Sequence, residues 1–254
     1  MTGIARKADS TRWVELAEVD NVRDLGGLPV HGGGSTRRGV LFRASTPQEA
    51  TPADVEVLLD RLGLRTVVDL RGPRESEREG HGLLKATAVR RVNLPVRQAK
   101  GVPADAVPDV SGSRLTDFYL AMLAGSGPSL LAAARIVADP EQHAVLFHCA
   151  VGKDRTGLLA AVLLDAVGVP AAAIADDYAL SGSRTARIGE RLARLPSYRL
   201  LPSVEHGLMS ADPEVMHRFL EILRAESGGG AGWLLRQGLA EAELRALRTA
   251  LVEG

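Results

Sequence analysis

The sequence predicts an α/β fold: a central, largely parallel sheet flanked by helices, followed by a helical C-terminal third. Short apolar runs, Thr66-Val67-Val68-Asp69-Leu70 and Ala144-Val145-Leu146-Phe147, lack the alternation of a half-exposed strand and suit strands covered on both faces. They alternate with segments of helical spacing, the pattern of a sheet built from βαβ crossovers. The last ~80 residues add helical spacing without strand-like runs.

Taken in order, Arg12 to Val19 reads as a short strand, Asn21 to Gly27 as a turn, Gly32 to Ser35 as a flexible loop and Gly39 to Arg43 as a second strand. Thr51-Pro52-Ala53-Asp54 starts a helix with a hydroxyl cap, an early proline and an acid at the third position. Val55, Leu58, Leu59 and Leu62 continue it, and Gly63 stops it. Thr66 to Leu70 is a buried strand, Arg71 to Gly82 a charged loop, and Val92 to Val96 a short strand before a polar loop reaching Ser113. Leu115 to Leu123 and Ser129 to Ala138 read as helices, His143 to His148 as a strand, and Gly157 to Val167 as a helix. Asp212-Pro213 starts another helix with Val215, Met216, Phe219, Leu220 and Leu223 on its apolar face, and Glu241 to Val252 forms the last. There is no internal repeat and no linker long enough to force a second domain, so residues 12–254 are expected to form one domain.

Composition narrows the function. The 254 residues hold 45% hydrophobic and 24% charged side chains, ordinary for a soluble globular chain. Lys+Arg and Asp+Glu both number 31, and this balance argues against a general nucleic-acid binder. The single Cys excludes an intrachain disulfide and a multi-Cys metal site. His31, His81, His206 and His217 have no partners at metal-ligand spacing, so neither a metal nor a cofactor is expected. Met1 to Asp20 carries charges and no apolar core of a signal peptide, giving a cytoplasmic expectation by default, although non-classical secretion would leave no mark. The most apolar stretch, Gly157 to Ala175, contains Asp165 and Pro170 and reads as buried helix, with no integral membrane contact expected.

The chemistry lies in His148-Cys149-Ala150-Val151-Gly152-Lys153-Asp154-Arg155-Thr156-Gly157, between a buried strand and an apolar helix. Five residues separate Cys149 from Arg155, enough to wrap into a ring of backbone N–H groups at a helix N-terminus, a cradle for a tetrahedral dianion. Arg155 would close the ring with a fork onto two phosphate oxygens. The same positive field favours Cys149 as the thiolate, the form that attacks. Thr156 can donate to the sulfur, His148 can hold the loop backbone, and Gly152 and Gly157 fit sharp turns or close packing. Ala150, Val151, Gly152, Lys153 and Thr156 are the expected phosphate contacts. The reaction that uses such a set is hydrolysis of a phosphate monoester through a cysteinyl-phosphate.

The loop matches His-Cys-five residues-Arg-Ser/Thr and so resembles the Cys-based protein tyrosine phosphatase superfamily. Further segments resemble its bacterial tyrosine/lipid phosphatase branch, that of the secreted mycobacterial protein tyrosine phosphatase B. They are Asn21 to Gly27, Leu41-Phe42-Arg43-Ala44-Ser45, Val67 to Arg71, Asn93-Leu94-Pro95, Asp176 to Ser181 and Asp212-Pro213-Glu214. The resemblance implies a protein tyrosine phosphatase-like fold. It also implies action on phosphotyrosine proteins, with phosphoserine, phosphothreonine and phosphoinositides as further substrates. It assigns the general acid to Asp154, and Lys153 would add positive charge at the pocket mouth. It makes residues 182–210 a lid-like insertion, which Pro196 and Pro202 prevent from being one continuous helix. Near a late Gly-Ser turn, where the branch usually has a tyrosine, this chain has Glu226-Ser227-Gly228-Gly229-Gly230, a segment expected to be looser.

Other residues compete for these roles. Asp69, at a strand end, is an alternative acid or an anchor for Arg71 or Arg74, and the anchor is favoured. Asp117 reads as a solvated helix acid. Arg23, Asp24 and Arg43 either line the pocket or fix turns and strand edges. Arg184, Arg187, Arg191 and Arg194 recur at helical spacing and read as a solvated face in preference to a membrane-facing stripe. A rhodanese-like sulfurtransferase and a non-catalytic phosphate-binding module are the rival functions. The first is disfavoured by Lys-Asp-Arg-Thr-Gly, the second by the intact Cys149, Asp154 and Arg155.

Overall fold

Burial on both sheet faces organises the molecule. The computed structural model describes residues 12–97, 112–198 and 210–254, apart from the side chains of 112 and 113. His206, Pro202 and most of the loop before Ser113 lie outside them. Five strands, β1 (Arg23–Asp24), β3 (Leu41–Ala44), β4 (Thr66–Asp69), β5 (Arg90–Asn93) and β6 (Val145–His148), form one sheet in the order β1-β3-β6-β4-β5. Only β1 runs antiparallel. Leu41, Val68, Val145 and Phe147 enter the larger core, while Phe42, Val67 and Leu146 enter a second core with Leu58, Leu64 and Leu84. The result is the α/β class expected, a mainly parallel sheet between helical layers.

The helices are α1 (Pro52–Glu56, continued by a wider turn over Val57–Arg61), α2 (Pro73–Glu79), α3 (Gly112–Gly125), α4 (Gly127–Ala138), α5 (Asp154–Ala166), α6 (Ala171–Leu180), α7 (Thr185–Leu192), α8 (Pro213–Ser227), α9 (Gly229–Arg236) and α10 (Glu241–Leu251). Thr51 caps α1 as expected: its hydroxyl accepts from Asp54 N at 3.1 Å, and Asp54 Oδ2 accepts from Thr51 N at 3.0 Å. A short strand, β7 (Val252–Glu253), follows α10 and pairs with β2 (Ser35–Thr36).

Several expectations need correction. Arg12 to Val19 is not a strand; it meets β1 through a bridge between Trp13 and Arg23. The expected turn at Asn21 to Gly27 contains the edge strand β1. The charged loop Arg71 to Gly82 contains α2, where Pro73 opens the helix and Glu75 reaches back to Gly72 N at 3.2 Å. Glu226 to Gly230 is not loose. Gly228, with φ 70°, ends α8, and Gly230 N donates to Asp165 of α5 at 2.6 Å. A Cβ on Gly230 would lie 2.2 Å from Val162 O, so glycine lets α9 press onto α5.

The basic stripe is a solvated face only in part: Arg187 and Arg194 are exposed, but Arg191 is buried. Arg184 lies 4.6 Å from the Trp13 ring centroid, Arg187 pairs with Asp20 at 3.3 Å, and buried Arg191 donates to Ser45 Oγ at 2.8 Å. Helix α7 ends before Pro196, as that proline requires, and its Ile188 and Leu192 pack with Ala150 and Tyr198. No single helix among the described residues is long and apolar enough to cross a membrane.

Gly230→Ala is expected to lower stability by about 2 kcal/mol through overpacking. Chemical denaturation would show this as a lower midpoint with an unchanged slope, and an unchanged midpoint would contradict the close α5–α9 approach.

Candidate active site

Strand register brings the loop to the middle of the sheet's carboxyl edge. Ala44, His148, Asp69 and Asn93 end their strands level with one another, and the Cys149 loop leaves from the central strand β6. Carboxyl ends of parallel strands form the ligand crevice of such sheets. The loop feeds directly into α5, which starts at Asp154, three residues earlier than expected.

For backbone N–H groups to face inward, the loop's carbonyls must face outward and find donors there. They do. His148 Nδ1 donates to Cys149 O at 3.0 Å, and Thr46 N donates to Ala150 O at 2.9 Å. Asn21 Nδ2 donates to Val151 O at 3.3 Å and to Gly152 O at 3.0 Å. Arg43 Nη2 also reaches Gly152 O, at 2.8 Å, and Gly157 N closes on Lys153 O at 2.6 Å. Inside the loop, Gly152 N donates to Cys149 Sγ at 3.2 Å. Gly152 has φ +76°, and a Cβ there would lie 2.3 Å from Ala44 O, so only glycine fits. The Cys149 residue is 2% exposed.

A buried charge cluster anchors this outer shell. Asp177 on α6 accepts from Arg12 at 2.9 Å, Arg23 at 3.0 Å and Arg43 at 2.8 Å. Burial alone would raise the Asp177 carboxyl, but Arg23, Arg43 and Arg12 hold it well below the usual carboxylate range. Burial and the neighbouring Arg43 push Arg23 down to about 9, leaving it cationic at neutral pH. Arg23 and Arg43 therefore brace the loop from behind. Asp24 instead fixes a turn by accepting from Gly26 N and Gly39 N at 2.8 and 2.9 Å.

Arg155 projects its terminal nitrogens onto Glu75 of α2, at 2.7 and 3.1 Å, and Tyr198 Oη donates to the same carboxylate at 2.8 Å. Burial opposes the Arg155 charge, but Glu75 and the Cys149 sulfur raise its pKa above the ordinary arginine value. End-on pairing uses one hydrogen on each terminal nitrogen. The Nε side of the guanidinium keeps a second fork, which suits two phosphate oxygens.

Asp154 Oδ1 accepts from Tyr119 Oη at 2.8 Å and lies 3.1 Å from Lys153 Nζ. Lys153 is not an open charge at the mouth: its side chain is 1% exposed and also donates to Ser210 O at 2.8 Å. The Thr156 hydroxyl is buried without a hydrogen-bond partner among the described residues, so its expected bond to sulfur is not made. Gly157 packs under Tyr178, a Cβ there falling 3.1 Å from the ring. Asp69 is an anchor: it accepts from Arg71 Nε and Nη2 at 2.9 and 2.8 Å and from Ser76 Oγ at 2.6 Å. Asp117 is exposed on α3.

Sequence reasoning missed Glu75, Tyr198, Tyr119, Tyr178 and the anchoring role of Asp177. Asp177 and Tyr178 did stand in a segment matching the family. Glu75 had a local signal in the helix start Gly72-Pro73-Arg74-Glu75.

A strand-loop-helix cradle of inward amides, with a sulfur nucleophile and a guanidinium, defines a Cys-dependent phosphatase. The chain belongs to the tyrosine phosphatase family, whose model matches residues 14–253. It is 33% identical over 235 residues to a Cupriavidus necator protein assigned as a tyrosine-protein phosphatase, covering 85% of this chain and 78% of that one. It is 26% identical over 284 residues to the triple specificity protein phosphatase PtpB of Mycobacterium tuberculosis, covering 94% and 98%. Among solved structures, the catalytic core of the S. cerevisiae PP-IP phosphatase Siw14 matches with a TM-score of 0.37 at 21% identity, over 57% of this chain and 74% of that one. Family membership sets aside the sulfurtransferase alternative.

Two outcomes test this shell. Asn21 has φ 59°, so Asn21→Gly keeps the backbone and removes the side chain, both its donor to the loop carbonyls and the Oδ1 that accepts from Arg23. Turnover should fall about ten-fold through loop misplacement, with far-UV circular dichroism unchanged. Wild-type turnover would show that the outward carbonyls need no such donor. His148 is fully buried, and burial pushes its ring down to about 4, with Asp69 only partly opposing because Arg71 already neutralises it. The unfolded ring binds its proton near 6.5, so His148 contributes full stability above that pH and loses it as pH falls towards 4, by about 3 kcal/mol in all. Denaturation of His148→Asn, which keeps a donor for Cys149 O, should show a flatter slope across that window; identical slopes would refute the assignment.

Proposed function

We propose that the Cys149 sulfur attacks the phosphorus of a phosphate monoester in line, forming an S–P bond as the P–O bond to the leaving group breaks. The loop amides and the free fork of Arg155 stabilise the equatorial oxygens. Asp154 gives its proton to the departing oxygen and then takes one from the water that cleaves the cysteinyl-phosphate, releasing phosphate and regenerating the thiolate. The carrying observation is the loop turned inside out, with its carbonyls engaged outside and Gly152 N on the sulfur.

Lys153 fits this scheme as a fixed cation beside Asp154 and not as a solvent-facing hook for substrate. Arg155 is charged and aligned before any substrate arrives, because Glu75 already holds it. The natural substrates in this reading are phosphotyrosine proteins, with phosphoserine, phosphothreonine and phosphoinositides also accepted. The triple specificity named for the Mycobacterium tuberculosis relative supports that breadth.

Acid-quenched enzyme under turnover should carry an adduct of about 80 Da on Cys149 by mass spectrometry. Cys149→Ser should abolish p-nitrophenyl phosphate hydrolysis in the presence of EDTA. Hydrolysis that survives in the serine variant would end the proposal. Relative turnover of phosphotyrosine peptide, phosphoserine peptide and phosphoinositide then ranks the substrate classes.

A further inference from the structure

A buried chain of hydroxyls ends on the loop carboxylate. Tyr119 of α3 donates its hydroxyl to Asp154 Oδ1 at 2.8 Å, and its oxygen lies 2.7 Å from the hydroxyl of Tyr178 on α6. A phenol has one hydrogen. With that of Tyr119 committed to Asp154, Tyr178 must donate to Tyr119, which fixes the direction of the chain: Tyr178 to Tyr119 to Asp154. Both tyrosines are buried, at 0% and 1% exposure, whereas the Asp154 side chain is 26% exposed. The Tyr119 hydrogen bond and the Lys153 ion pair both fall on Oδ1. Among the described residues, Oδ2 is thus the carboxylate oxygen without a hydrogen-bond donor.

We propose that Tyr119, backed by Tyr178, is a positioning residue that pins Oδ1 of Asp154 and thereby selects Oδ2 as the oxygen that carries the proton to the leaving group. The inference rests on Asp154 being the general acid, as proposed above. The phenol is suited to a fixed donor role. Burial, and then the Asp154 charge, hold Tyr119 well above its usual pKa, so it keeps its hydrogen throughout the working range. Its ring is also clamped, edge-on to Tyr178 and to Phe219 of α8 at centroid distances of 6.1 and 6.3 Å. The hydroxyl therefore cannot follow a wandering carboxylate; the carboxylate must come to it. The charged and titratable groups facing this chain are Lys153 from the loop, Arg43 from β3, and Asp212 at the start of α8.

The test uses Tyr119→Phe and Tyr178→Phe in the full chain, with Asp154→Asn as the reference for loss of the acid. Turnover is measured on phenyl phosphate, a poor leaving group, and on p-nitrophenyl phosphate, a better one, across pH. Tyr119→Phe should lose about ten-fold more on the poor leaving group than on the good one, a share of the full general-acid effect. Its basic limb should move to higher pH, because removing a donor to a carboxylate favours the protonated form. Tyr178→Phe leaves the Tyr119 bond in place and only weakens its polarisation, so it should move both readouts the same way by less. It also covers the case in which Tyr119→Phe does not fold. A merely structural role would lower both substrates equally and leave the limb in place, which would overturn the proposal while Asp154 stands. Asp154→Asn with a wild-type leaving-group dependence would overturn the assignment of the acid itself, and this inference with it.

Discussion

The structure depends on turning one loop inside out. A ring of amides can point at a phosphate only if the matching carbonyls point away, and a buried carbonyl without a donor costs about 1–3 kcal/mol. The loop takes its donors from Asn21, from Arg43 and Thr46, and from His148 and Gly157 at its own two ends, three separate stretches of chain. This requirement explains why the N-terminal segment, β3 and the start of α5 converge behind the sulfur. It also explains why Asn21 tolerates a left-handed backbone: its side chain reaches two carbonyls from there.

One carboxylate holds this outer shell together. Asp177 collects three guanidiniums in the interior, and Arg43 passes the connection on to Gly152 O. Such a cluster is a poor source of net stability, since desolvation of the charges offsets their attraction. Its value is geometric: it ties α6 to β1 and β3 at a fixed distance from the loop. On the opposite side, Glu75 does the same for Arg155, and Tyr198 joins it from the segment after α7. The two halves of the site are thus braced independently, the amide ring from α6 and the guanidinium from α2.

The local parts of this design were legible in the sequence. Cys149, Arg155 and their loop share one contiguous run between an apolar strand and an apolar helix, so composition and spacing suffice. Asp69 as an anchor was also readable, because Arg71 lies beside it. The braces were not readable as contacts. Asn21 and Gly152, or Arg43 and Asp177, are far apart in the chain and meet only after the sheet has formed. Lys153 misled because charge alone suggests exposure, whereas Asp154 and Ser210 O draw its ammonium inside. The glycines before α9 misled for a different reason: they read as flexibility but serve close helix packing, which no local pattern reveals. Helix α2 hid in a charged run whose polar face is solvated and whose few buried groups are themselves polar.

The chain's one sulfhydryl, the proposed nucleophile, belongs to a residue that is 2% exposed. A bulky alkylating reagent can therefore reach it only during excursions of the surrounding structure. Modification needs no engineered label and has one target, so its rate is a clock for those excursions, and the lag between alkylation by large and small reagents measures how wide each one opens.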